Sequence, residues 1–285
     1  MPAAFSPEPT DAAPRFASCP VCGSDRIRAI LTTPDFCVRE CVRCLLAWTD
    51  PATYVRQSSY AADPEFAASY ASRAESFRGY AFRLLKPLRR WQPGGKLLDV
   101  GCSVGFLVGE AGKLGFEAQG IDLDESAVRW GVAQGFPLAC SRLEDWPVTD
   151  YDLLCASHTL EHFETPATLL QGAAAHLRPG GYLAIVVPCH TGLVPRLFGH
   201  RWYGWVPHQH YFHYSPRALE ILFERHGFSV AGVWQESMDY RHILHRPGPL
   251  RSRLRSVAEF ITAAVGGAIG HGDQVVIVGR KTGSG

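Results

Sequence analysis

The stretch Leu97-Leu98-Asp99-Val100-Gly101-Cys102-Ser103-Val104-Gly105 decides the fold. An apolar run ends in an acid, and a glycine-spaced turn follows at once. The pattern predicts a buried strand over Lys96–Val100 that turns into a helix over Gly105–Leu114. Glycines at such a turn let the backbone approach a ligand, and the first N–H groups of the helix are free to meet it. The next apolar run, Ala118–Ile121, closes on Gly120-Ile121-Asp122. A carboxylate at the tip of a second strand is placed to accept hydrogen bonds from a ribose diol.

Downstream the same alternation continues. A helix is expected over Glu125–Ala133, a weak strand near Pro137–Cys140 and a strong strand over Tyr151–Ala156. A helix over Ala167–Leu177 is closed by Arg178-Pro179-Gly180-Gly181. A strand over Tyr182–Val187, a helix over Pro216–His226 and strands over Phe228–Val233 and Gln274–Val278 complete the series. Strands alternating with helices of this length predict a parallel α/β sheet. Upstream, Phe66, Tyr70, Ala74, Phe77, Ala81 and Leu84 recur at spacings of three and four, which predicts a helix within residues 63–92.

The whole-chain properties are ordinary. Of 285 residues, 46% are hydrophobic and 19% charged, enough apolar material for a sizeable core. A net charge of +1 supplies no overall argument for nucleic acid or an anionic membrane. Residues 1–17 lack the basic and apolar regions of a secretory leader and are expected to be disordered. No apolar run reaches the length of a membrane span. The expected setting is cytoplasmic and reducing, where grouped cysteines indicate metal rather than disulfides.

Cys19, Cys22, Cys41 and Cys44 are arranged as C-x2-C-x18-C-x2-C, the spacing of a structural zinc ribbon. Two knuckles supplying two thiolates each would close a tetrahedral Zn2+ site with no open position. Cys37 is a further thiol nearby, and Leu45 stands where a glycine is common. The remaining cysteines read as small core hydrophobes.

The glycine turn does not fit a dinucleotide site, because G-x-G-x-x-G is absent. Gly101 and Gly105, placed after Asp99 and before Asp122, instead resemble the cofactor site of class I SAM-dependent methyltransferases. The similarity extends to Leu143-Glu144-Asp145, Ser157-His158-Thr159-Leu160-Glu161-His162 and Leu177-Arg178-Pro179-Gly180-Gly181. It implies a Rossmann-like seven-stranded sheet whose last strand is antiparallel. It also implies S-adenosylmethionine (SAM) contacts from Asp99, Gly101, Cys102, Gly105, Asp122, Leu123, Leu143, Glu144, Ser157 and His158. Ser103 stands where many members carry a third glycine.

A zinc ribbon ahead of this domain resembles a bacterial group that includes sugar and natural-product methyltransferases. The Trp48-Thr49-Asp50-Pro51 linker and Tyr60 also resemble that group. The implied organisation is a ribbon over residues 18–52, a helical linker or lid over 53–95, and a SAM domain over 96–285. The expected partner is a small-molecule methyl acceptor.

Residues 189–215 form an insertion between the expected fifth strand and the Pro216 helix, dense in aromatics and histidines. Connections of this length are usually functional. The resemblance implies that His210 is a catalytic base, with His208 and His213 as alternatives; otherwise the insertion is a packed cover on the sheet. Two other readings stay open. One is a SAM-binding protein without methyl transfer. The other is a zinc peptidase, because His158-x-x-Glu161-His162 matches an inverted peptidase signature that requires a helix.

Overall fold

The computed structural model describes residues 16–33, 36–50, 72–207, 209–238, 240 and 250–283. The decisive stretch lies at the centre of a seven-stranded sheet. Strand β4, Gly95–Val100, pairs in parallel with β5, Phe116–Asp122, on one side and with β7, Tyr151–Ser157, on the other. Strand β6, Leu138–Cys140, extends the sheet beyond β5. Strands β8 (Leu177–Pro188), β11 (Gln274–Lys281) and β10 (Phe228–Glu236) extend it beyond β7, giving the order β10-β11-β8-β7-β4-β5-β6. Strand β11 runs antiparallel to both neighbours, as the resemblance implied.

Helices cover both faces. Helix α1 is Ala74–Leu88, α2 is Phe106–Lys113, α3 is Glu125–Ala133 and α4 is Pro166–His176. Leu97 and Leu98 are fully buried on opposite faces of β4, in separate core clusters. Each such leucine contributes about 1.5–3 kcal/mol of burial free energy. The order of connections reverses at β4, so the crevice beyond the C-terminal ends of β4, β5 and β7 is where a ligand site is expected.

The second sheet has the order β1-β2-β3-β9. Strands β1 (Ile27–Thr32), β2 (Cys37–Cys41) and β3 (Ala47–Thr49) come from the cysteine-rich segment. Strand β9 is Phe212–His213, from the aromatic insertion, and pairs antiparallel with β3. The cysteines belong to the larger core as well: Cys19, Cys22, Cys41 and Cys44 lie in one buried cluster with Leu98, Leu154, Ile185 and Phe223.

Several expectations need correction. Arg178-Pro179-Gly180-Gly181 does not separate helix from strand; it lies within β8. Tyr151 pairs with Leu177 and Leu153 with Tyr182, so these residues bulge out of a continuing strand. The insertion carries helix α5, Leu193–Phe198, and two single 3-10 turns besides β9. Helix α6, Pro216–Arg225, starts as read, with Ser215 accepting from the Ala218 N–H at 3.1 Å. A further helix, α7, Leu250–Ala268, follows β10. Leu45 has φ +58°, the conformation that favours glycine there. The expected disorder of residues 1–15, the linker features Pro51 and Tyr60, the helix over 63–71, and His208 lie outside the described residues.

Candidate active site

The glycine turn wraps the end of β4. Gly101 (φ +77°) and Gly105 (φ +84°) occupy the left-handed region, as does Ser103 (φ +48°). That explains why a glycine suits position 103. A Cβ on Gly101 would lie 2.4 Å from Thr159 Oγ1, which itself donates to the Val100 carbonyl at 3.0 Å. The turn thus closes against the segment after β7, and only a glycine fits between them. Gly120 has the same duty toward Cys102, whose Cβ would be 2.7 Å from an added methyl.

Asp122 organises the turn with its carboxylate. Oδ2 accepts from the Ser103 N–H at 2.7 Å and Oδ1 from the Asp124 N–H at 2.8 Å. Each oxygen keeps a second lone pair that could serve a ribose hydroxyl. Burial pushes the Asp122 carboxyl above its usual range, against those two N–H donors. Burial and the charge of Asp122 push Asp99 up to about 8. Asp99 Oδ1 and Ser103 Oγ are buried without a hydrogen-bond partner in the structure. Orphaned polar atoms around a glycine turn fit a polar, cationic cofactor, which would satisfy them.

The other expected cofactor residues surround this crevice unevenly. Leu123 is exposed beyond Asp122, and Glu144 is exposed and paired with Arg142 at 3.4 Å. Leu143 turns into the core, where a Cβ on Gly172 would touch it at 2.7 Å. Ser157 Oγ lies 2.9 Å from Tyr80 Oη, so α1 is anchored over the end of β7. His158 has φ +55°, and its N–H donates to the Val186 carbonyl at 2.8 Å.

The peptidase reading lacks its helix. His158 follows the end of β7 at Ser157, and Leu160–His162 is one 3-10 turn. What forms instead is a cluster of Glu161, His162 and His210, one ligand atom of each lying within 4.8 Å of the others. The Tyr211 N–H donates to the Glu161 carbonyl at 2.8 Å and brings the insertion to this turn. His210 Nδ1 lies 3.0 Å from the Gly204 carbonyl and His162 Nδ1 lies 3.2 Å from the Gln209 carbonyl. A carbonyl only accepts, so each Nδ1 carries a proton; on the neutral ring of His210 this leaves Nε2 with its lone pair.

Glu161 is buried, and neither carboxylate oxygen has a hydrogen-bond partner; His158 Nδ1 approaches to 3.5 Å. Burial pushes its carboxyl up, but His158, His162 and His210 outweigh this and hold it below the usual value. Burial pulls His210 down to about 4, against the raising influence of Glu161. The cluster therefore presents an anion beside the neutral imidazole of His210, which together can accept a proton or hold a cation.

His213 stands beside His210, ring centroids 6.2 Å apart, but outside the Glu161–His162–His210 cluster. It is buried on β9 beside Trp205, with ring centroids 4.8 Å apart. Thr49 Oγ1 donates to the His210 carbonyl at 3.2 Å and lies 3.1 Å from His213 Nε2. Its one proton being used, Thr49 accepts from His213, leaving Nδ1 as a buried lone pair without a partner. The sequence reading missed Tyr80 and the pairing of Glu161 with His210. The Leu-Glu-His segment was visible, but nothing local signals a partner so far along the chain.

The four cysteines of the ribbon converge. Cys19 and Cys44 sulfurs are 3.5 Å apart and Cys22 and Cys41 sulfurs 3.4 Å apart, too far for disulfides. All four lie within 4.8 Å of one another, with Cys22 N–H donating to Cys19 Sγ at 3.5 Å. The hydrogen bond from Cys44 favours a thiolate on Cys19 and holds the proton on Cys44. A closed four-sulfur set of this kind suits a tetrahedral metal such as zinc.

Comparison with known proteins agrees with this geometry. The family described as "Methyltransferase domain" matches residues 71–232. The human mitochondrial ubiquinone biosynthesis O-methyltransferase is 32% identical over 173 residues, covering 53% of this chain and 47% of that protein. The ubiquinone biosynthesis O-methyltransferase of Nitrobacter winogradskyi is 30% identical over 152 residues, covering 48% and 58%. The chain thus spans about half the length of these relatives. A Thermotoga maritima SAM-dependent methyltransferase, described as a possible histamine N-methyltransferase, shares the fold with a TM-score of 0.55. It is 19% identical, over 77% of this chain and 98% of that one. Among the described residues no helix is long and apolar enough to cross a membrane. With the glycine turn, the tip carboxylate and the sheet order in place, the chain belongs to the methyltransferase domain family.

Proposed function

We propose that this chain methylates a hydroxyl of a small molecule, with His210 as proton acceptor and Glu161 as its electrostatic support. A sugar or another natural-product or polysaccharide intermediate is the acceptor class favoured by the ribbon-bearing group it resembles. The names of the ubiquinone relatives favour oxygen as the methylated atom. The observation that carries the reading is the buried, donor-less Glu161 carboxylate beside His210, on the segment that follows Ser157.

SAM supplies an activated methyl group when bound. Asp99, Gly101, Cys102, Ser103, Gly105 and Asp122 would hold it, with Ser157 and His158 on the neighbouring strand end. Because the methyl is already activated, the chain's own work is orientation, exclusion of water and removal of one proton. Nε2 of His210 takes the hydroxyl proton, and the resulting imidazolium is stabilised by the Glu161 anion. The four-cysteine set holds a structural zinc ion.

Single-turnover transfer from labelled SAM to a panel of sugar and phenolic hydroxyls tests this. His210→Ala should slow transfer by about 10²–10⁴-fold, the usual contribution of a positioned base, while SAM affinity stays near normal. Full transfer in folded His210→Ala removes the assignment. The convergence of Glu161, His162 and His210 favours one second reading, a divalent cation that binds the acceptor oxygen. Transfer that is abolished by a chelator and restored by a divalent ion selects that reading.

A further inference from the structure

We propose that the outer face of α7, together with the adjoining edge of α1, docks onto an anionic lipid bilayer. Helix α7 is built inside out. Its inward face is small: Ser256, Ala263 and Gly266 are buried. Its outward face carries Leu254, Val257, Ile261 and Val265, and Ile269 follows in the turn after it, each 45–60% exposed. Spacings of three, four, four and four place these five side chains on one stripe. At 1.5 Å per residue the stripe is about 22 Å long. The exposed residues between them include Ala258, Ala264 and Ala268, and the charges within the span, Arg255 and Glu259, pair with each other at 3.4 Å. A helix of a water-soluble domain normally turns its aliphatic stripe inward, and an exposed stripe of this size marks an interaction surface.

The charges around the stripe identify the occupant. Arg253 is exposed at one end of it, and Arg255 borders it in an i,i+4 pair with Glu259 at 3.4 Å. Across a shallow groove lined by Arg83, Phe260, Ala263 and Ala264 stands α1, which adds exposed Lys86 three residues on from Arg83. Aliphatic side chains flanked by cations are the composition of a segment that lies in the interface of a bilayer. Anionic headgroups meet the arginines and lysine while acyl chains receive the stripe. The net charge of +1 conceals the patch, because acids elsewhere balance it.

Sedimentation of the full chain with vesicles tests the proposal. The chain should pellet with vesicles of equimolar phosphatidylcholine and phosphatidylglycerol, bind weakly to phosphatidylcholine alone, and be released by salt. Ile261→Glu and Val265→Glu should abolish binding. Arg253→Glu, a change of two charges, should weaken it roughly twenty-five-fold, since each charge near an anionic surface contributes about fivefold. All three positions are exposed, and unchanged SAM affinity and circular dichroism would verify that the variants fold. Absence of binding to the anionic vesicles overturns the proposal, as does equal binding to neutral vesicles or binding that the variants leave intact. A dimer that Ile261→Glu dissociates, in a chain that ignores vesicles, assigns the stripe to self-association and also overturns it.

Discussion

Ser215 Oγ donates to the main-chain carbonyl of Cys44 at 2.6 Å while accepting from the Ala218 N–H at 3.1 Å. One hydroxyl thus caps helix α6 and ties its start to the second cysteine knuckle. Arg225 at the other end of α6 donates to the Val21 carbonyl at 2.5 Å, in the first knuckle. The buried contact between His190 Nε2 and Glu40 Oε1, 3.1 Å, joins the start of the insertion to β2.

Loss of metal should therefore be felt at the acceptor loop. The purified chain is expected to hold one zinc per chain, and Cys41→Ser should release it. Because the cysteines share a core with the sheet, this variant should lose overall stability and methyl transfer, and not merely loosen its N-terminus. Metal analysis with thermal unfolding checks this; zinc-free protein from zinc-replete medium, equally stable and active, would contradict it.

Asp122→Ala removes two turn-fixing acceptors as well as the expected ribose contact. SAM affinity measured by calorimetry should fall by about 1.5–3 kcal/mol, the range for hydrogen bonds to a charged group. Unchanged affinity in folded protein would take Asp122 out of the cofactor site.

Gly101→Ala should be worse than its one added methyl suggests. Its φ of +77° disfavours any side chain, and the new Cβ would meet Thr159 Oγ1 at 2.4 Å. Either the turn or the Thr159 hydrogen bond to Val100 must yield. Expected outcomes are a destabilisation of about 1–3 kcal/mol and loss of SAM binding; denaturant unfolding and calorimetry measure both. Wild-type values for each would refute the close approach.

The buried imidazole of His210 makes a specific pH prediction. Its folded value of about 4 lies below an unfolded value of about 6.5. Between those values the unfolded chain binds the extra proton, so stability is full above about pH 6.5 and falls as pH drops toward 4. The loss from this group is on the order of 3 kcal/mol. His210→Gln should flatten the wild-type slope in that window, as read from Tm against pH. The acid limb of transfer assigned to this base should likewise sit well below the ordinary histidine range, since the free site stays neutral through pH 5–8.

The sheet was legible because its signals are local. Leu97-Leu98-Asp99 and Gly120-Ile121-Asp122 each encode a strand, its burial and the turn after it within a few residues. The glycine turn and the four-cysteine spacing were legible for the same reason. The Arg178–Gly181 bulge was not, because proline and glycine announce a break without saying whether the strand resumes its pairing. Helix α7 escaped because an outward aliphatic face has the same periodicity as an inward one. Glu161 and His210 meet through the Tyr211–Glu161 backbone bond and the His162–Gln209 contact, and β9 pairs with the edge that β3 offers. Such long-range pairings leave no pattern in either segment alone.

The pairing of β3 with β9 has a consequence for anyone who would graft acceptor preference between relatives. Residues 189–215 cannot travel alone, because two of their residues are an edge strand of someone else's sheet. The transferable cassette is discontinuous: the cysteine-rich segment and the insertion must be exchanged together, with Thr49, Cys44 and Ser215 as its joints. A chimera carrying only the loop would keep the donor's chemistry on paper and lose the wall that holds it in place.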